Sequence, residues 1–165
     1  MKLKKNFIFT ICFLFVAFLF AENHMQLIWQ QEGEFVNSYY GYSIASIDFN
    51  GDSIDDLVVG SYKWNQSGLP GSTQQGKIYF YYGGTVFDTI PDLTIDGSQY
   101  NYYSMIGNHI VNCGDVNGDG FDDFGSIRYG NYTSNIKYFI EIFFGGTQCD
   151  TIPDFQKIIY NNDVN

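Results

Sequence analysis

An acidic ten-residue segment that occurs twice constrains this chain more than any other feature. Asp48-Phe-Asn-Gly-Asp-Ser-Ile-Asp-Asp56-Leu57 returns as Asp115-Val-Asn-Gly-Asp-Gly-Phe-Asp-Asp123-Phe124, a step of 67 residues. Further on, Tyr81-Tyr-Gly-Gly-Thr85 returns as Phe143-Phe-Gly-Gly-Thr147, and Asp88-Thr-Ile-Pro-Asp92 returns unchanged as Asp150-Thr-Ile-Pro-Asp154, now at a step of 62. The lost five residues belong to the Gly, Pro and Ser rich loop Lys63–Gln75, which is shorter in the second copy. A chain repeating at this interval uses one supersecondary unit again, each copy too small to bury its apolar face alone.

Within each copy the apolar segments are short, rich in Ile, Val, Tyr and Phe, and bounded by Gly, Asn and Asp. None sustains a helical period, so they are predicted as strands. The first copy places them near Tyr42–Ile47, Asp56–Ser61, Lys77–Tyr82 and Leu93–Ile95, and the second near Asn108–Cys113, Asp123–Arg128, Ile136–Phe144 and Phe155–Ile159. Four antiparallel strands in about 60 residues are the content of one β-propeller blade. Gln26-Leu-Ile-Trp-Gln-Gln-Glu-Gly33 resembles Asp92-Leu-Thr-Ile-Asp-Gly97, the fourth strand of the first copy. The expected fold class is therefore all-β: a partial propeller of two four-stranded blades plus one N-terminal orphan strand, nearly free of helix. The expected division is an orphan strand and linker over 22–37, blade 1 over 38–97 and blade 2 over 98–165. A ring of this kind closes with about four to eight blades, so further blades are expected from the same or another chain.

Before that strand, Lys2, Lys4 and Lys5 precede an apolar run from Phe7 to Phe20 that ends at Ala21. The pattern predicts a helical signal peptide over 1–21; fourteen residues fall short of the roughly 18 to 20 that span a bilayer. The protein is accordingly expected to be secreted or held at the cell surface. Removing those three lysines and no acid moves the formal charge from −10 to −13. Such a balance excludes nucleic acid as a natural partner, because phosphate binding needs clustered Lys and Arg. Cys113 and Cys149 are the only cysteines left for a disulfide; two small residues packed as apolar fillers is the alternative.

Eight of the 18 acids sit in the two repeated clusters, and such crowding is costly without a cation. Each cluster reads Asp-x-Asn-x-Asp-x-x-x-Asp, with oxygen ligands at positions 1, 3, 5 and 9 and a carbonyl at position 7. The first candidate calcium site is Asp48, Asn50, Asp52, Asp56 and the Ile54 carbonyl; the second is Asp115, Asn117, Asp119, Asp123 and the Phe121 carbonyl. Calcium takes six to eight oxygens, and no imidazole or thiolate is present to favour zinc or copper. Position 12 is Val59 or Ser126, where an EF-hand needs a bidentate Glu, and strands follow instead of a helix. Position 6 is Ser53 in the first loop and Gly120 in the second, so a positive φ there would strain the first by roughly 1 kcal/mol. Asp55 and Asp122 are expected to face solvent.

These residues resemble the FG-GAP repeat family, found in the propeller of integrin α chains and in secreted bacterial proteins. Its phenylalanine-glycine element appears as Tyr40-Gly41 and Ile106-Gly107 ahead of the acidic loops, and its closing Val-Gly-Ala type element as Val59-Gly60-Ser61 and Gly125-Ser126-Ile127. The resemblance implies a calcium-stabilised propeller serving adhesion or recognition, with a protein or glycan ligand at one face. No Gly-x-Ser-x-Gly elbow or His-Glu-x-x-His motif occurs, and His24 and His109 lack partners by spacing, so no catalytic site is expected. The tyrosine pairs 39–40, 81–82 and 102–103 and Trp64 are the candidate ligand contacts. Asn65-Gln-Ser67 and Asn131-Tyr-Thr133 are glycosylation sequons. The alternatives are a non-catalytic propeller part of a larger secreted hydrolase and a purely structural spacer.

Overall fold

A computed structural model describes residues 30–68, 73–84, 88–100, 103–130 and 137–160. The expected signal peptide, most of the orphan strand, His24, Tyr102 and the Asn131 sequon lie outside these residues. Eight strands follow one another: β1 (Tyr40–Ile47), β2 (Asp56–Ser61), β3 (Lys77–Tyr81), β4 (Leu93–Asp96), β5 (His109–Gly114), β6 (Asp123–Tyr129), β7 (Lys137–Phe143) and β8 (Phe155–Tyr160). The described residues contain one helical turn, a 3₁₀ turn at Gly97–Gln99 capped by Asp96. The strands form two antiparallel four-stranded sheets, each in sequence order, and each sheet is one blade.

Antiparallel partners share a face, so the register assigns every side chain. In blade 1, Ala45, Val58 and Phe80 lie in one row and Gly60, Ile78 and Ile95 in the next, which defines a front face. Its back face carries Ile44, Leu57, Val59, Tyr79 and Tyr81. In blade 2 the front row is Val111, Gly125, Ile142 and Phe155, next to His109, Ile127, Ile140 and Lys157; Phe124, Ser126, Glu141 and Phe143 form the back.

The front of blade 1 packs on the back of blade 2. Phe49 stacks on Phe80 at 5.1 Å between ring centroids, and Phe124 meets both rings edge-on at 5.4 and 5.2 Å. Phe143 stacks on Phe124 at 4.6 Å, and Ile47, Val58, Ile78, Ile95 and Ile106 complete a core sealed from water. The repeat explains this economy: one sheet face of each copy is covered by the other face of the next. Close approach demands glycine at one position in particular. A Cβ on Gly60 would lie 2.0 Å from the carbonyl oxygen of Gly107, where the next blade begins.

The copies differ in β5. Register slips between Asn112 and Gly114, leaving Cys113 as an extra residue in a bulge, with Gly114 at φ 64°. Cys113 and Cys149 are both free. Cys149 instead donates to the Gly146 carbonyl at 2.9 Å, so the disulfide alternative is not realised.

Candidate metal loops and binding surface

Each acidic segment turns the chain from the inner strand of a blade into the second strand, so both loops emerge at the same end of the sheets. In the first loop Asp48 Oδ2 accepts from Ser53 N (2.9 Å), Asn50 Oδ1 from Asp52 N (2.9 Å) and Asp52 Oδ1 from Ile54 N (2.8 Å). The second loop repeats the scheme: Asp115 Oδ2 accepts from Gly120 N (2.9 Å), Asn117 Oδ1 from Asp119 N (2.9 Å) and Asp119 Oδ1 from Phe121 N (3.0 Å). Position 6 has a positive φ in both, 68° at Ser53 and 93° at Gly120, as the loop pattern requires.

Position 9 has a different role from the others. Asp56 and Asp123 are buried, and each holds two backbone N–H groups: Phe49 N (3.1 Å) and Gly83 N (2.8 Å) for Asp56, Val116 N and Gly145 N (both 2.9 Å) for Asp123. Each thereby ties its loop to the strand-end turn after the third strand of its blade. Burial pushes the Asp56 carboxyl above its ordinary range, against the pull of those donors. Asp115, fully exposed, is held below its ordinary value by the Gly120 N–H above all.

Among the described residues, no three His, Cys, Asp or Glu side chains converge at metal-holding distance. The loop acids cap nearby N–H groups. One oxygen is left over. Asp48 Oδ1 is buried and has no hydrogen-bond partner, a costly state for a carboxylate. The donor set around it is all oxygen, so the first loop fits a hard divalent cation. The second has the same composition, although both Asp115 oxygens already accept N–H bonds. Asp55 and Asp122 are not idle at the surface: Asp55 accepts from Ser46 Oγ at 2.6 Å and Asp122 from Asn112 Nδ2 at 3.3 Å.

The loops also touch one another. Phe121 of the second lies against Gly51 of the first, where a Cβ would sit 2.1 Å from its ring, and Asp122 N donates to the Asp48 carbonyl at 3.2 Å.

At the opposite end of blade 1, Tyr39, Tyr42 and Tyr62 cluster with ring centroids 4.5 to 6.3 Å apart, and Lys63 Nζ lies 4.1 Å above Tyr39. Tyr39 and Tyr42 are 45% and 56% exposed, and Tyr39 keeps the left-handed φ of 57°. A bulky residue held there stores strain, a feature concentrated at functional sites. The sequence singled out Tyr39 but missed Tyr42, Tyr62 and Lys63.

Trp64 is not an exposed anchor. It is buried, and its Nε1 donates to Glu34 Oε2 at 2.6 Å, while Lys77 Nζ (2.7 Å) and Tyr79 OH (3.0 Å) donate to Glu34 Oε1. Burial raises the Glu34 carboxyl, but these three donors outweigh it and leave it below 4.5. Tyr81 is likewise buried, Tyr82 half-buried and Tyr103 exposed. Asn65 is buried as well and bonded to Ser67 Oγ, so its sequon is not presented. His109 is exposed on β5. Among the described residues no helix is long and apolar enough to cross a membrane.

Residues 40–81, from the start of β1 to the end of β3, match the family model of the FG-GAP repeat. Integrin alpha-5 of Xenopus laevis is 32% identical over 100 residues, 60% of this chain and 9% of that protein. Integrin alpha-IIb of Mus musculus is 32% identical over 106 residues, 62% of this chain and 10% of its own length. Integrin alpha-PS2 of Drosophila melanogaster is 31% identical over 104 residues, 61% and 7% of the two chains. The chain thus spans a tenth or less of the length of these curated relatives. Residues 40–81 are thus an FG-GAP repeat, and the second blade, with its equivalent strands and acidic loop, repeats that unit.

Proposed function

We propose that this chain is an exported, calcium-binding propeller segment that mediates adhesion or recognition outside the cell and carries no catalytic site. The observation that carries the metal reading is the partnerless buried oxygen of Asp48. Asp48, Asn50, Asp52, Asp56 and the Ile54 carbonyl would hold one ion, and Asp115, Asn117, Asp119, Asp123 and the Phe121 carbonyl a second. A bound cation neutralises acids that otherwise repel across a tight loop. The residues themselves fix the loop ends through Asp56 and Asp123 and press one loop on the next through Phe121 and Gly51. Recognition of a protein or glycan is assigned to the Tyr39, Tyr42 and Tyr62 platform with Lys63, at the end of the blade remote from the loops.

The domain plan in this reading is a signal peptide over 1–21, an outer strand and linker over 22–37, and blades over 38–97 and 98–165, with further blades completing the ring. Support for the linker comes from its parallel with the segment between the blades. Ser38 accepts from Lys63 N at 3.1 Å, and Ser104 accepts from Tyr129 N at 2.7 Å. Calorimetric titration with calcium tests the metal reading: two binding events are expected, one lost in Asp52→Ala and the other in Asp119→Ala. Absence of heat in folded protein would refute it.

A further inference from the structure

A continuous line of hydrogen bonds runs from one acidic loop into the other. It starts at Asp123, position 9 of the second loop, whose Oδ1 accepts from Gly145 N at 2.9 Å. The neighbouring Gly146 donates its N–H to the Phe49 carbonyl at 2.9 Å, and Phe49 N donates to Asp56 Oδ2 at 3.1 Å. The two position 9 acids are thereby joined through the turn after β7 and the main chain of Phe49. Three contacts brace this line. Asp122 N donates to the Asp48 carbonyl at 3.2 Å, and the Phe121 ring covers Gly51, where any Cβ would collide with it. Gly145 is wedged so tightly that a Cβ there would lie 2.2 Å from the Asp122 carbonyl oxygen and 2.8 Å from that of Phe49.

We infer that the two loops bind calcium with positive coupling, an ion in the second loop tightening the first and the reverse by the same factor. The inference rests on the metal reading above and concerns what the two sites do to one another. In the second loop the contacts are carried by the residues that an ion there would fix: Phe121 offers its carbonyl from position 7 and Asp123 its carboxylate from position 9, with Asp122 between them. In the first loop they land on Asp48, Phe49 and Gly51, the stretch that presents positions 1 to 4. Ordering one set therefore orders the other, and the second ion meets a loop with less freedom left to lose. Reciprocity follows because the coupling is a single free energy shared by both sites. Repulsion between two divalent ions works the other way, but each enters a set of three carboxylates and the remainder is screened by salt.

Calorimetric titration of the purified chain with calcium, at about 0.15 M ionic strength, tests the coupling in wild type, Asp52→Ala, Asp119→Ala and Phe121→Ala. Phe121→Ala keeps both ligand sets, because its share of the second loop is a main-chain carbonyl, and removes only the ring over Gly51. Circular dichroism in chelator checks that each variant is folded, and Phe121→Leu serves where the smaller side chain prevents folding. In wild type the second ion is expected to bind about fivefold or more tightly than the ion held by either single-site variant. Asp52→Ala and Asp119→Ala should lose the same factor at their remaining sites. Phe121→Ala should still bind two ions, with the factor falling toward unity. Two wild-type events with the affinities of the single-site variants, or a second ion bound more weakly, would overturn the coupling and leave the metal reading standing. A full factor retained in Phe121→Ala would overturn the route through the Phe121 ring. No heat from folded wild type would overturn the metal reading and the coupling together.

Discussion

Ser53 and Asp56 lie three residues apart in the first loop and answer to different physics. Ser53 adopts φ 68°, where an L-residue is strained. Ser53→Gly is expected to stabilise the fold by about 1 kcal/mol, measured by urea unfolding; a loss of stability would show that the Ser53 side chain matters more than its backbone. Asp56 satisfies two N–H groups in a dry environment, and a buried donor left unpaired costs about 1 to 3 kcal/mol. Asp56→Ala is therefore expected to cost about 2 to 4 kcal/mol even in chelator, whereas Asp52→Ala, exposed and capping only Ile54 N, should cost little until calcium is added. Equal losses for the two in chelator would contradict this division of labour.

The sequence made the need for a positive φ at position 6 readable, because Gly120 occupies it in the second copy. It gave no sign that position 9 also caps two N–H groups, since a ligand and an N–H cap are both simply Asp. Nor did it mark Glu34. The partners Trp64, Lys77 and Tyr79 are 30, 43 and 45 residues away, and no repeat counterpart shares the pattern. Trp64 looked like a loop anchor for the same reason. Its loop is indeed an insertion, but the ring folds back under Lys77, 4.8 Å from its centre.

At the scale of elements, all eight strands were legible with ends correct to within one or two residues, because short β-branched and aromatic runs between Gly and Asp leave little alternative. The bulge in β5 was not read from the sequence, although the spacing of the repeats carries its trace. Tyr40-Gly41 to Ile106-Gly107 is a step of 66, while Asp48 to Asp115 is 67, so one residue had to be absorbed between them. The join between the linker and blade 1 depends on Glu34. Its carboxyl is depressed, so the stability it adds is present above the unfolded value near 4.5 and is lost as pH falls through the folded one. Wild type is expected to exceed Glu34→Gln by about 1 kcal/mol at neutral pH, a figure reduced because the group is half exposed. The gap should close in acid; a gap that persists at low pH would mean shape, not charge, holds the linker. Gly60→Ala is expected to cost about 1 to 3 kcal/mol or more by driving a methyl into the Gly107 carbonyl. A neutral result would mean the two blades do not meet as described.

For the whole molecule, repetition explains cohesion. The front of blade 1 is buried on the back of blade 2, one copy of the repeat against the next. The aromatic stack of Phe49, Phe80, Phe124 and Phe143 joins the sheets, and the acidic loops meet at one edge of that stack, where Phe49 also accepts from Gly146 N at 2.9 Å. Calcium at the loops would therefore brace the blade interface as well as the turns. The most direct test is thermal melting of the chain in calcium and in chelator, alongside the Asp52→Ala/Asp119→Ala double variant. At a hundredfold excess over Kd each site adds about 2.7 kcal/mol. The account predicts a clear rise in melting temperature with calcium for wild type and none for the double variant, while coincident wild-type curves would contradict it.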